Sequence, residues 1–111
     1  MENEPMSPVA AVVKKPDASV PMRVGNETNV VSLASSISHC LRAHAYAELT
    51  AIGEKQGYLA LKACAIAQTF VAKEPWTLVV SPGFFEKPNE RRPGGTLTGL
   101  RLQIRRSHAA R

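Results

Sequence analysis

From residue 20 onward the apolar side chains change period, from two to 3.6 and back, and this succession restricts the fold more than any other feature of the chain. Val20, Met22 and Val24 alternate with Pro21, Arg23 and Gly25, the pattern of a short half-buried strand. Its leading proline suits a strand start or an edge. Gly25-Asn26-Glu27 reads as a turn. Thr28 is the expected N-cap of a helix, since its hydroxyl can accept an orphan amide of the first turn. Val30, Leu33, Ala34, Ile37, Leu41 and His44 then recur at helical spacing, with Ser32, Ser35, Ser36, His39 and Arg42 on the other side. The serines lower helix propensity, so one buried stripe must hold this helix.

Residues 47–52 alternate Ala47, Leu49 and Ala51 with Glu48 and Thr50, a second strand that Gly53 ends. A second helix is expected over residues 55–72. Leu59, Ala63, Ile66, Ala67 and Phe70 form one stripe, and Gly57, Leu61, Cys64, Ala65 and Gln68 form a reverse side that is mostly small or apolar. A helix apolar on both sides is buried on both sides. In a two-layer domain this small, the second burial is expected from another subunit, through Leu61, Cys64, Ala65 and Gln68. Pro75 blocks continuation of the helix, residues 76–81 form a third strand ended by Pro82-Gly83, and Gly94-Gly95 turns the chain into a last strand. There Leu100, Leu102 and Ile104 alternate with Arg101, Gln103 and Arg105. The order is β-α-β-α-β-β, an α/β domain of the two-layer α+β kind. Right-handed crossovers place both helices on one face of the sheet. The other face, with Arg23, Thr50, Arg101, Gln103 and Arg105, is left open.

The chain of 111 residues holds one domain. Its bounds are expected at residues 20–106, with a disordered tail over 1–19, where Pro5, Pro8 and Pro16 break a stretch without apolar period, and a flexible C-terminus over 107–111. The N-terminus lacks a basic region followed by an apolar run, and no apolar stretch reaches membrane-spanning length, so a cytoplasmic protein without membrane contact is expected. Cys40 and Cys64 are far apart and read as reduced core thiols.

Charge is distributed unevenly. The whole chain carries +5. Residues 83–111 alone also carry +5, from Lys87, Arg91, Arg92, Arg101, Arg105, Arg106 and Arg111 against Glu86 and Glu90. A positive field concentrated at one end suits a polyanion such as nucleic acid. A solvated basic tail without function is the plain alternative.

Catalytic chemistry finds little support. The one aspartate, Asp17, lies in the expected tail, which leaves a Ser-His-Asp triad without its acid. His39 and His44 are five residues apart and point in different directions on a helix; with His108 they make no metal-ligand spacing. Gly53-Glu54-Lys55-Gln56-Gly57 lacks the Walker spacing. Gly57 near a helix start could offer amides to a phosphate, although a simple strand-to-helix turn is the commoner case. Phe84 and Phe85 flank the basic hairpin, where aromatic rings can stack on bases; such a pair more often buries one ring and leaves the other partly exposed. No enzyme activity, cofactor or metal is expected.

The central stretch resembles a known family. Leu41-Arg42-Ala43-His44-Ala45-Tyr46-Ala47-Glu48-Leu49-Thr50-Ala51-Ile52-Gly53 is similar to the region across the second strand of stage V sporulation protein S. Ala60-Leu61-Lys62-Ala63-Cys64-Ala65-Ile66-Ala67-Gln68, with Phe70-Val71, resembles that family's second helix. Ser81-Pro82-Gly83-Phe84 and Thr98-Gly99-Leu100-Arg101-Leu102 fit its third and last strands. The family is related to the Alba nucleic-acid-binding proteins. The resemblance therefore implies an Alba-like four-stranded mixed sheet with two helices on one face, a homodimer through the second helix, and regulation by nucleic-acid binding linked to sporulation. Glu27 falls near a turn where Alba-like proteins commonly carry lysine, Gln68 replaces a family arginine, and the hairpin of residues 86–94 is longer and more basic. These departures shift the expected polyanion site toward the hairpin and last strand. The residues expected to neutralise phosphates on DNA or RNA are Lys87, Arg91, Arg92, Arg101 and Arg105, with Lys62 at the rim of the second helix serving a phosphate or a subunit contact. The alternative is a protein-interaction or scaffold module that keeps the fold and has little nucleic-acid affinity. No small-molecule substrate is expected.

Overall fold

Asn29, and not Thr28, starts the first helix of the computed structural model, which describes residues 20–108. The Asn29 side chain accepts hydrogen bonds from the amides of Val31 and Ser32, both at 3.0 Å, satisfying two of the orphan donors of the first turn. Thr28 closes the preceding turn instead: its Oγ1 accepts from the Gly25 amide at 2.7 Å. The tail expected over residues 1–19 lies outside the described residues, as do residues 109–111.

The elements run β1 (Met22–Val24), α1 (Val30–His44), β2 (Tyr46–Ala51), α2 (Glu54–Phe70), β3 (Thr77–Pro88) and β4 (Thr96–Ser107). The sheet order is β1-β2-β4-β3. β1 pairs with β2 in parallel, and β4 is antiparallel to both β2 and β3. This is an α+β fold in the Alba-like β-α-β-α-β-β arrangement. β4 reaches Ser107, one residue past the expected boundary.

α1 buries Leu33, Ala34, Ile37, Ser38, Cys40 and Leu41; His44, expected on that stripe, is exposed in the last turn. The helix ends at Ala45, whose φ of 65° is left-handed, with its amide donating to the Leu41 carbonyl at 3.0 Å. That position usually takes glycine. Ser38 is buried without penalty because its hydroxyl donates to the Ala34 carbonyl at 2.9 Å. The core joins this stripe to Ala47, Leu49 and Ala51 of β2, Leu102 and Ile104 of β4, and Val71 and Trp76 after α2. Full burial of one such leucine or isoleucine contributes about 1.5–3 kcal/mol.

α2 buries Gly57, Ala60, Ala63, Cys64 and Ala67, a stripe of small residues that lets the helix approach its neighbours closely. A Cβ on Gly57 would already lie 3.4 Å from Leu100. The helix packs against α1 and against β1, β2 and β3, so Gly57 and Cys64 of its second apolar side are covered within the chain, while Leu61 and Ala65 are exposed. Phe70, expected in the buried stripe, is 41% exposed.

β3 does not stop at Ser81. It continues through Pro82 and Gly83 to Pro88, because it is an edge strand and an edge tolerates a proline whose missing amide would face solvent. β2 ends with Ala51 opposite Leu100, whereas Phe85–Pro88 pair with Thr96–Gly99 beyond that point. The two long strands therefore project past the sheet as an arm, closed by Asn89 accepting from Arg92 at 3.1 Å and donating to Gly95 at 3.0 Å through the backbone.

Candidate nucleic-acid interface

The pleat places Arg23, Tyr46, Glu48, Thr50, Arg101, Gln103 and Arg105 on the face away from the helices, since Arg23 pairs with Thr50, Thr50 with Arg101, Glu48 with Gln103, and Tyr46 with Arg105. β3 adds Val79, Ser81, Gly83 and Phe85 to the same face. Gln103 stands between Arg101 and Arg105 on β4, with Ser81 and Gly83 beside it on β3.

Arg101 is held from two sides. Its Nε lies 3.0 Å from the Glu48 carboxylate, a diagonal cross-strand pair, and its guanidinium sits 5.9 Å from the centre of the Phe85 ring. The Tyr46 hydroxyl donates to the same carboxylate at 2.7 Å. That hydrogen bond, with burial second, holds the Tyr46 phenol above its ordinary pKa. Arg105 stands four residues along β4, about 13 Å away by strand rise, and donates from Nη2 to Ser81 Oγ at 3.2 Å. Arg23 and Lys87 have no ion-pair partner among the described residues.

Phe85 packs over Gly99. A Cβ at Gly99 would come within 2.5 Å of the Phe85 ring, 2.7 Å of Ile52 and 2.8 Å of the Ala51 carbonyl. Phe84, one residue earlier, points to the helix side and is 77% exposed. Neither ring enters the core, contrary to the expectation that one would be buried: Phe85 is half-buried against Gly99 on the open face, and Phe84 is exposed.

At the root of the arm a pocket of about 530 Å³ opens between the ends of β1 and β2, the start of α2 and the arm itself. Its lining brings Lys87 and Arg101 together with Arg23. Arg91 and Arg92 lie farther out in the exposed arm turn, where the Arg91 amide donates to Asn89 Oδ1 at 3.0 Å.

Lys62 does not join these cations. It projects from the outer side of α2, 5.9 Å from the centre of the Tyr58 ring. The expected subunit surface also divides. Leu61 is 54% exposed and Ala65 is exposed, but Cys64 faces the core and the Gln68 side chain accepts a hydrogen bond from Thr77 Oγ1 at 2.9 Å. The outward face of α2 is instead Tyr58, Leu61, Lys62 and Ala65. Gly57 offers no amide to a ligand, since it is buried and donates to the Gly53 carbonyl at 3.0 Å. Among the described residues no three His, Cys, Asp or Glu gather as a metal site. No described helix is long and apolar enough to cross a membrane.

The family model for stage V sporulation protein S matches residues 20–107, the whole of the described sheet and both helices. The chain belongs to the stage V sporulation protein S family. Membership makes it a sporulation-related protein. No curated protein matches the chain. The family's sheet here carries two features that sequence reasoning did not anticipate. One is the ion pair of Glu48 with Arg101; both occupy outward strand positions in the alternation, but only the register brings them together. The other is the convergence of Arg23 of β1 and Lys87 of the arm on one pocket.

Proposed function

We propose that this member of the stage V sporulation protein S family is a nucleic-acid-binding regulator in the cytoplasm, without enzymatic activity, that holds DNA or RNA mainly by its phosphates. The single observation behind this reading is the gathering of Arg23, Arg101, Arg105 and Lys87 on one uncovered face, with Arg91 and Arg92 at the tip of the arm. Phosphate contacts position a polyanion without reading its sequence, and the helices lie on the far side of the sheet, so sequence selectivity is weak. Lys62 belongs with a subunit contact in this reading and not with the phosphates.

The protein acts as a homodimer joined on the helix side. Tyr58, Leu61 and Phe84 are 63%, 54% and 77% exposed on that side, and burying such side chains in an interface is favourable. A dimer through this side leaves both basic faces outward. Fluorescence anisotropy with duplex DNA, single-stranded DNA and RNA at low salt tests the binding. Binding to at least one of the three is expected. Absence of binding to all three would make the chain a protein-interaction module, in which Glu48 has neutralised the central arginine.

A further inference from the structure

The pocket at the root of the arm has a shape and a charge that the open face alone does not require. Arg23, Lys87 and Arg101 reach it from three different strands, and none of the residues lining it is acidic. Glu48, just outside, is paired with Arg101, so one of the three positive charges is already balanced and two remain. A phosphodiester within a strand brings one negative charge. A terminal phosphate monoester brings about −1.5 to −2 near neutral pH. Two uncompensated cations therefore match the end of a strand better than its interior.

The remaining walls are mostly apolar, with Thr50 and Gln56 as the uncharged polar groups. Val20, Pro21 and Ile52 line the pocket, and Phe85 is pinned over Gly99 beside them. The volume of about 530 Å³ lies within the range of roughly 300–1,000 Å³ typical of small-molecule sites, room for one nucleoside next to its phosphate. We infer that this pocket receives the terminal nucleotide of a nucleic-acid strand, with the phosphate monoester among Arg23, Lys87 and Arg101 and the sugar and base against Pro21, Ile52 and Phe85. The inference rests on the nucleic-acid reading above and adds end recognition to it.

Three single strands of one sequence test it: one with a 5′-phosphate, one with a 3′-phosphate and one with hydroxyls at both ends. The wild type should bind one of the phosphorylated strands at least about tenfold more tightly than the hydroxyl-ended strand, as expected for hydrogen bonds to a charged group. Arg23→Gln and Lys87→Gln should each shrink that ratio to below about threefold. Both side chains are exposed on edge or arm positions, so unchanged circular dichroism and melting accompany the loss. Equal binding of all three strands overturns end recognition and leaves the nucleic-acid reading standing. A preference that survives both substitutions overturns this pocket as the place where the end is held. Failure of every strand to bind removes the nucleic-acid reading, and end recognition falls with it.

Discussion

The Glu48 carboxylate holds Arg101 at 3.0 Å in the middle of the open face, and so sets how much positive charge that face presents. Glu48→Gln removes the carboxylate's charge. Affinity for DNA should rise a few-fold, and the salt dependence should steepen by up to about 0.9 in log K per log salt, one additional duplex phosphate. Because Arg101 is 44% exposed, the pair contributes no more than about 1 kcal/mol, and the melting temperature should hardly move. Spectrophotometric titration should show the Tyr46 phenol falling back toward its ordinary pKa, since its raised value comes first from the hydrogen bond to Glu48. Unchanged affinity in Glu48→Gln would separate Arg101 from binding.

Arg91 and Arg92 sit in a turn held by backbone hydrogen bonds, so their side chains are dispensable for folding. Arg91→Ala combined with Arg92→Ala should lower affinity about equally for unrelated sequences and make the salt slope shallower by up to about two units. Urea midpoints should stay within about 0.5 kcal/mol of wild type. A double mutant with the wild-type slope would confine the phosphates to the sheet face.

Gly99→Ala should be costly for a single methyl. The added Cβ meets the Phe85 ring, Ile52 and the Ala51 carbonyl at 2.5, 2.7 and 2.8 Å, and the carbonyl belongs to a paired strand that cannot step aside. Overpacking of this kind costs about 1–3 kcal/mol. Denaturant unfolding should show it as a lower midpoint with an unchanged slope. A neutral outcome would mean that the arm shifts freely on the sheet.

Burial pushes the Cys64 thiol up to about 11. The unfolded chain ionises this group near its ordinary value of about 9, so below that pH the contribution to stability is complete. It is lost as pH rises from about 9 through 11, to a limit of up to about 3 kcal/mol. Urea midpoints measured between pH 8 and pH 11 should therefore fall more steeply for wild type than for Cys64→Ala. Parallel curves would contradict the buried placement.

Leu61→Glu probes the helix side. Leu61 is 54% exposed within the chain, so a lone subunit accommodates the charge with little change in stability. In a dimer through this face the same charge must be desolvated, which is costly. Sedimentation should show a folded monomer where wild type is a dimer. A wild type that sediments as a monomer at micromolar concentration would remove the homodimer from the proposal.

The order of elements and the sorting of the two sheet faces were legible because both follow from side-chain period. Leu102 and Ile104 turn inward and Arg101 and Arg105 outward, as their alternation requires. What the period could not carry were relationships set by register and by close approach. Proline and glycine at 82 and 83 read as a strand end, yet an edge position spares the ladder and β3 continues for a further seven residues past Ser81 to Pro88. The second apolar side of α2 splits in space: a helix whose inner stripe is Gly57, Ala60, Ala63 and Cys64 sinks deep enough for Cys64 to be covered by its own chain, while Leu61 and Ala65 stay exposed. Side-chain period alone places Cys64 and Gln68 with Leu61 on the outer side, whereas Cys64 is buried and Gln68 accepts from Thr77. The basic pocket was hidden because Arg23 and Lys87 are 64 positions apart in the chain and meet only through the arm.

The long outer strand has a consequence for how the protein behaves when crowded. β3 presents a free edge, the kind of template on which a foreign strand adds and fibres grow. Pro82 and Pro88 are six positions apart, and by strand alternation their nitrogens lie on the same edge. Tolerance of both within a continuous ladder with β4 puts that edge toward solvent. An incoming strand would meet two places where no donor exists, one in the middle of β3 and one at its end. The prolines that looked like a break in the sheet thus act as a guard against its unlimited extension.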